Sequence, residues 1–390
     1  MTDLQESGSE DETKGDTSEE PGVDAESGGQ VWQTLGLVFL LGLVLYVFLV
    51  SIGMLGGAFK LFGKDFALQL VETTANPFVG LFVGILATTL VQSSSTTTSI
   101  AVGIVAAGGL SIESAVPIVM GANIGTSVTN TLVSMGHITR REEFKRALAG
   151  ATVHDFFNLI AVALLLPLEL VFGFLKHIAE YVSEVFVGVG GMKLANPLKA
   201  ITKPTIDGAI DLLGHRPIVV MIVSLILMYL ALKFLVDLAR GIVVKRAERF
   251  LNRYLFGAPT SAFLFGMILT VLVQSSSIST SLVIPLVGAG ILTVTQIFPY
   301  TLGANVGTTV TAMLAALSTA NIAAITIAFV HLLFNLSGIA LVFPVPAIRR
   351  IPIRLAHWLA DLTSRSRPLA IVYVILVFYL IPVGVILIWK

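Results

Sequence analysis

The chain has no cysteine. No disulfide framework exists, and nothing indicates a redox compartment. Charge is scarce as well: 12% of the 390 residues are Asp, Glu, Lys or Arg, about half the share of a soluble globular chain. From Gly257 to Ile348 there is no charged residue, and from Thr73 to Met135 the only one is Glu113. Hydrophobic residues make up 55% instead, in runs such as Val31 to Met54, Val219 to Leu235 and Leu369 to Trp389. Each run is long enough to cross a bilayer, which takes about 20 residues. The short alternating segments of a membrane β-barrel are lacking. The first run has no basic segment before it and no small-residue cleavage site, so it reads as a retained span, not a signal peptide. These absences leave an all-α polytopic membrane protein.

The net charge is zero but unevenly placed. Met1 to Gln30 holds ten acids, one base and no aromatic residue. Such a segment buries too little apolar area to offset its ordering entropy, so residues 1–30 read as a disordered acidic tail. The remainder carries a surplus of nine bases, and their positions give an orientation.

Part of the chain is duplicated. "LVQSSSTTTS" from Leu90 corresponds to "LVQSSSISTS" from Leu272. A shift of 182 places Gly84 on Gly266, Thr88 on Thr270, Gln92 on Gln274 and Gly121 on Gly303. "GANIGTSVTNT" from Gly121 then lies on "GANVGTTVTAM" from Gly303 without a gap. "HDFFN" at His154 matches "HLLFN" at His331 at a shift of 177, so the second copy is five residues shorter between the motifs. The loop that differs is "GHITRREEFKRA" in copy one, with Arg140, Arg141, Lys145 and Arg146, and the uncharged "LSTANIAA" in copy two. Basic residues in short loops mark the cytoplasmic side. The same loop is then cytoplasmic in one copy and external in the other, as two inverted-topology repeats require.

A pass along the chain is consistent with this. The N-terminus is cytoplasmic and a first span covers about 31–55, followed by an interfacial segment to 75. Repeat 1 covers 76–172: a re-entrant hairpin from outside at about 80–109, a span at 112–135 and a span at 147–172. Residues 173–257 form an external segment, a linking span at 217–240 and a loop with Lys245, Arg246, Arg249 and Arg253. Repeat 2 covers 258–343: a hairpin from inside at about 261–291 and spans at 294–316 and 320–343. Residues 344–390 hold a basic amphipathic segment with Arg349, Arg350, Arg354, Arg365 and Arg367, then a final span. Every dense basic loop falls on one face.

Polar, Gly-rich stretches at membrane depth persist only where protein or a wet cavity satisfies the backbone. QSSS and Gly-Ala-Asn-(Ile/Val)-Gly-Thr read as helix breaks of this kind, each repeat having a hairpin and a broken transmembrane helix. A broken helix offers N–H groups to an anion and carbonyls to a hard cation. With no fixed cation in these segments, a bound anion takes its counter-charge from a co-bound cation. That dependence is the physical basis of symport. The plainer alternative is that Ser and Thr bond back to their own helices and that the glycines permit close packing. His154 and His331 read as helix-to-helix hydrogen bonders. Asp155, in "GATVHDFFN", is one turn from Asn158 and on its helix face. An acid within a span is a functional candidate, and copy two has Leu332 in its place.

With these motifs the chain resembles the type II sodium–phosphate cotransporters. The resemblance rests on the paired QSSS, the paired GANIGT and GANVGT, "GATVHDFFN" followed by "LLLPLE", and "LLFNLSGIALVFPVP", and covers about 80–343. It implies uptake of inorganic phosphate coupled to sodium by alternating access, with no enzymatic chemistry. It places phosphate at Gln92, Ser93, Ser94, Thr126, Gln274, Ser275 and Ser276. Sodium, the co-transported ion, falls to Asn123, Asp155, Asn158, Asn305, Thr308 and Thr311. Asp155 stands where electrogenic members keep an Asp, which implies an additional sodium. His137 and Arg140 depart from the Gln and Asp of animal members, and the external segment lacks their cysteines. The implied partners are phosphate, sodium and the lipid bilayer of the cell membrane, with no nucleic acid; a homodimer stays open. Another small oxyanion, sulfate or a carboxylate, fits the same residues. An intramembrane serine hydrolase pairing Ser94 with His154 is a distant alternative.

Overall fold

The structure is a computed structural model that describes residues 23–63, 76–255, 258–366 and 368–389. Two compact units are present, Met1–Gly42 and Leu43–Lys390. Residues 1–22 of the acidic tail, 64–75 of the interfacial segment and Arg367 lie outside the described residues, and so do the side chains of Lys245, Arg246, Arg249 and Arg253. Every regular element among the described residues is helical. Helix α1 (Val23–Phe62) starts inside the stretch read as a disordered tail to residue 30. An apolar helix already nucleated gains one backbone bond for each residue it adds, which is how it extends into polar sequence.

Copy one begins with α2 (Pro77–Val91) and α3 (Ser94–Ala106), and copy two with α10 (Pro259–Val273), α11 (Ser276–Ser281) and α12 (Ile284–Gly288). Both first arms start on a proline, whose missing N–H costs nothing in a first turn. Both arms end at a glutamine in the left-handed region, Gln92 at φ 56° and Gln274 at φ 57°. The following serine is extended and caps the next helix: Ser93 accepts from Thr96 N at 3.2 Å and Ser275 from Ile278 N at 3.4 Å. The second arm of copy two is split ahead of Pro285, which cannot donate to the preceding turn; copy one has Gly103 at the matching position.

Each first arm is clasped by the GAN helix of its own copy. Against α2 lies α4 (Ile112–Gly125), continued by α5 (Ser127–Ser134); against α10 lies α13 (Val294–Thr319). A methyl added at Gly84 or Gly121 would overlap the carbonyl of Ile118 or Leu81. At Gly266 and Gly303 it would overlap the carbonyls of Tyr300 and Phe263. Small residues that let helix backbones touch are a main device of packing in lipid, where burial of apolar surface gives little drive.

This packing corrects the reading of both GAN segments as helix breaks. Helix α13 runs unbroken through GANVGT. In copy one the interruption is the single residue Thr126, which keeps helical dihedrals of −58° and −32°. The glycines serve close approach, and the hydroxyls that follow bond back to their own helices, so the ladder survives.

The remaining elements are α6 (Arg141–Phe172), α7 (Phe174–Gly188), α8 (Met192–Leu212), α9 (Pro217–Leu255), α14 (Ile322–Val342), α15 (Pro346–Arg365), α16 (Pro368–Ile375), a π-turn at Leu376–Leu380 and α17 (Ile381–Ile388). The segment from residue 173 to the linking helix is formed by α7 and α8. Five described helices are long and apolar enough to cross a membrane: Leu35–Phe62, Arg141–Phe172, Pro217–Leu238, Ile322–Val342 and Pro368–Ile388. The other two spans read from sequence fall on α4–α5, which is divided, and on α13, which is buried almost throughout. Basic α15 lies along α6 with Pro352, Ala356, Leu359, Ala360 and Thr363 buried, and Lys145 pairs with Asp361 at 2.5 Å.

Candidate functional site

The two hairpin tips meet. Ser95, in the first turn of α3, donates to the carbonyl of Gln274 at 3.4 Å. The four central serines then divide by role. Ser93 and Ser275 spend their side chains as helix caps. Ser94 and Ser276 are buried, at 4% and 3% exposure, and their hydroxyls form no hydrogen bond among the described residues. Unspent hydroxyls at a buried tip retain the donors that a desolvated anion needs.

The glutamines differ. Gln274 donates to the Val271 carbonyl at 2.5 Å and its Oε1 accepts from Thr311 at 2.7 Å. Gln92 is exposed, and Thr129, the counterpart of Thr311, has a buried hydroxyl with no partner among the described residues. Thr126 and Thr308 donate to the carbonyls of Ala122 and Ala304 in their own helices, at 3.1 and 3.0 Å. Such a hydroxyl has spent its hydrogen, and its oxygen lone pairs remain free to face a cation.

The asparagines and His154 form one cross-repeat network. His154 Nε2 donates to Asn305 Oδ1. Asn305 Nδ2 donates to Asn158 Oδ1 at 2.9 Å, and Asn158 Nδ2 to the Asn123 carbonyl at 2.9 Å. Asn123 turns its own amide to the Val119 carbonyl at 3.2 Å. A hydrolase pair of His154 and Ser94 is not formed. His331, read as an interhelical hydrogen bonder, is not one: both ring nitrogens are buried without a partner among the described residues. Its near neighbour Asn335 donates to the His331 carbonyl at 2.9 Å and leaves its Oδ1 unpartnered.

Asp155 is fully buried and separate from that network. Asp155 and Asn158 are one turn apart on α6 but reach different partners. His154 and Asn158, four apart, face α13, while Asp155 is turned to the C-terminal helix and accepts from Tyr373 Oη at 3.1 Å. Its other oxygen lies beside the Ser127 hydroxyl without closing a hydrogen bond of ordinary geometry, and neither atom has another partner among the described residues. Ser95, Thr129 and Tyr373 are absent from the sequence-derived site. The first two stand within the duplicated motifs, where a position-by-position reading would find them; Tyr373 does not.

Outside the tips, each hairpin's far end is held by the opposite copy. Arg146 Nε donates to the Gly288 carbonyl at 2.8 Å, and Asn321 Nδ2 to the Ala106 carbonyl at 3.0 Å. Gly288 and Ala106 are matching positions in the repeat.

A duplicated helix–break–helix unit, polar where it meets and wrapped by long apolar helices, defines the class: a polytopic all-α membrane protein with a central polar site. The model of the Na+/Pi-cotransporter family matches residues 47–198 and 226–343, and the chain belongs to that family. Sodium-dependent phosphate transport protein 2A of Ovis aries is 37% identical over 418 aligned positions, covering 87% of this chain and 65% of that protein. Protein 2B of Homo sapiens is 34% identical, covering 91% and 65%, and protein 2A of Mus musculus 36%, covering 90% and 68%. The chain therefore spans about two thirds of the length of these relatives. No solved structure matches it.

Proposed function

We propose that this chain is a secondary active symporter that couples inward sodium flux to uptake of inorganic phosphate, electrogenically and by alternating access. The observation that carries the reading is the meeting of two helix–turn–helix tips at which Ser94 and Ser276 are buried residues with unspent hydroxyls, in segments without a fixed cation. An anion desolvated there needs donors and a counter-charge. The serines and the first turn of α3 supply donors, and a co-bound sodium supplies charge. The names of the relatives, sodium-dependent phosphate transport proteins, support the same pair of ions. Phosphate lies among Gln92, Ser94, Gln274 and Ser276, with Ser93 and Ser275 shaping the tips as caps; Thr126, whose hydrogen is held by the Ala122 carbonyl, would have to release that bond to join them. Sodium takes oxygens from Asn123, Asn158, Asn305, Thr308 and Thr311, and a further sodium takes Asp155.

The two repeats have inverted topology in this reading, with re-entrant hairpins. Support comes from the far-end ties. Hairpin one's end, Ala106, is held at the uncharged loop by Asn321, and hairpin two's end, Gly288, at the basic loop by Arg146. By the distribution of bases, the first loop is external and the second cytoplasmic.

The test is radiolabelled phosphate uptake into proteoliposomes with and without an inward sodium gradient. Uptake driven by sodium and not by potassium or choline is expected; equal uptake in all three overturns the reading. Equal competition by sulfate or a small carboxylate would reassign the anion. Cysteines at Thr139 and Ser318 should label from opposite faces with an impermeant thiol reagent.

A further inference from the structure

Asp155 has a partner that the family match does not reach. Tyr373 belongs to α16, beyond the matched residues 47–198 and 226–343, and its hydroxyl donates to Asp155 Oδ2 at 3.1 Å. The ring is fixed edge-on against Phe378, with centroids 5.9 Å apart and planes at 89°. Phe378 is fully buried and sits in the π-turn Leu376–Leu380. A π-turn re-aims the residues of a helix, and such turns are frequent at functional sites. Asp155 Oδ1 and the neighbouring Ser127 Oγ are both buried, close no hydrogen bond of ordinary geometry with each other and have no other partner among the described residues. No described Lys or Arg pairs with Asp155.

We propose that Tyr373 is a positioning residue for a monovalent cation held between Asp155 Oδ1 and Ser127 Oγ. The proposal rests on the reading that Asp155 binds sodium. A carboxylate turns freely about its last torsion, whose wells are broad. A donor on one oxygen fixes the plane and leaves the other oxygen aimed. The choice of donor matters. A lysine would neutralise the carboxylate and remove its use for a cation. A tyrosine hydroxyl is neutral, so it holds the group while the negative charge remains for sodium. Without a cation the Ser127 hydroxyl can turn its hydrogen to Asp155 Oδ1; a sodium ion instead takes a lone pair from each of the two oxygens, and the two arrangements exclude each other.

The experiment is a double-mutant cycle on phosphate uptake by the full chain in proteoliposomes, read as sodium half-saturation. The variants are Tyr373→Phe, Asp155→Gly and the pair. Tyr373→Phe keeps the ring against Phe378 and removes only the donor. Sodium half-saturation is expected to rise about tenfold in Tyr373→Phe, the loss of one hydrogen bond to a charged group. Phosphate half-saturation at saturating sodium should move far less. In the Asp155→Gly background, Tyr373→Phe should add nothing. Ser127→Ala should raise sodium half-saturation in the same direction as Tyr373→Phe. An equal effect of Tyr373→Phe in both backgrounds would make it a packing residue and overturn the proposal. No effect in the wild-type background would overturn it as well. If Asp155→Gly leaves both sodium dependence and charge moved per phosphate unchanged, the reading of Asp155 fails and the proposal fails with it. That result is distinct from a failure confined to Tyr373.

Discussion

The two copies share a skeleton and differ in how their polar groups are spent. In copy two the tip is tied: Gln274 bonds Thr311 and Val271, and Thr280 donates to Asn130 across the repeat at 3.0 Å. In copy one Gln92 is exposed, Thr129 is unpartnered, and Thr98 only bonds back to Ser94 at 2.8 Å. The order reverses one layer away. His154 of copy one is locked to Asn305, whereas His331 of copy two has no partner on either nitrogen among the described residues. What stays equal between copies is backbone contact. What differs is side-chain pairing, which can be exchanged without moving the close helix crossings. The proposed alternating access would draw on this division between a stiff frame and exchangeable polar ties.

The largest effects should come from the part that is equal. In Gly121→Val and Gly303→Val, added methyls meet the carbonyls of Leu81 and Phe263, atoms of backbone that cannot rotate away. Overpacking costs about 1–3 kcal/mol, more where only backbone can yield. Both variants are expected to lose most of their folded, monodisperse yield in detergent, and to similar degrees. Tolerance of one and not the other would break the claim that the two crossings are equivalent.

The serines sharpen the comparison at the tips. Ser94→Ala and Ser276→Ala each remove an unspent donor, and each should raise phosphate half-saturation about tenfold. Ser93→Ala and Ser275→Ala remove caps instead, costing ~1 kcal/mol of stability. They should lower the midpoint of thermal unfolding while changing phosphate half-saturation less. The reverse pattern, affinity lost with the caps and kept with Ser94 and Ser276, would exchange the roles assigned here.

This division within QSSS was not legible in the sequence. A serine that caps and one that contacts a ligand are the same letter, and only the dihedrals at Ser93 and Ser275 separate them. The breaks at QSSS were legible because duplication made a weak signal specific: one QSSS is ambiguous, while two at a fixed shift are not. The glycines of GANVGT were legible as special, but their sequence does not distinguish a broken helix from a tightly packed one. Helices α7 and α8 are not legible as long apolar runs; α7 shows its inward face only through Leu175, Ala179 and Ser183, four apart. Tyr373 lies 218 residues from its partner Asp155, and no local pattern links them.

The smallest effect gives the finest comparison. Gln92 and Gln274 both hold left-handed backbone, which costs a side-chain-bearing residue about 1–2 kcal/mol relative to glycine. In the phosphate-free protein Gln92→Gly relieves that strain and forfeits no hydrogen bond to the described residues, because the side chain is exposed. Gln274→Gly relieves the same strain but loses the bonds to Thr311 and Val271, each worth about 0.5–1.5 kcal/mol, and strands a buried threonine hydroxyl. The strain term cancels between the two positions, so their difference isolates the side-chain ties. Thermal unfolding in one detergent should show Gln92→Gly stabilised and Gln274→Gly near or below wild type. Removing the partner instead, in Thr311→Val, should destabilise copy two, while Thr129→Val in copy one should be neutral or stabilising. Equal shifts for the two glutamines would mean that the Gln274–Thr311 tie contributes nothing, and the asymmetry of the tips would then be one of geometry without energy.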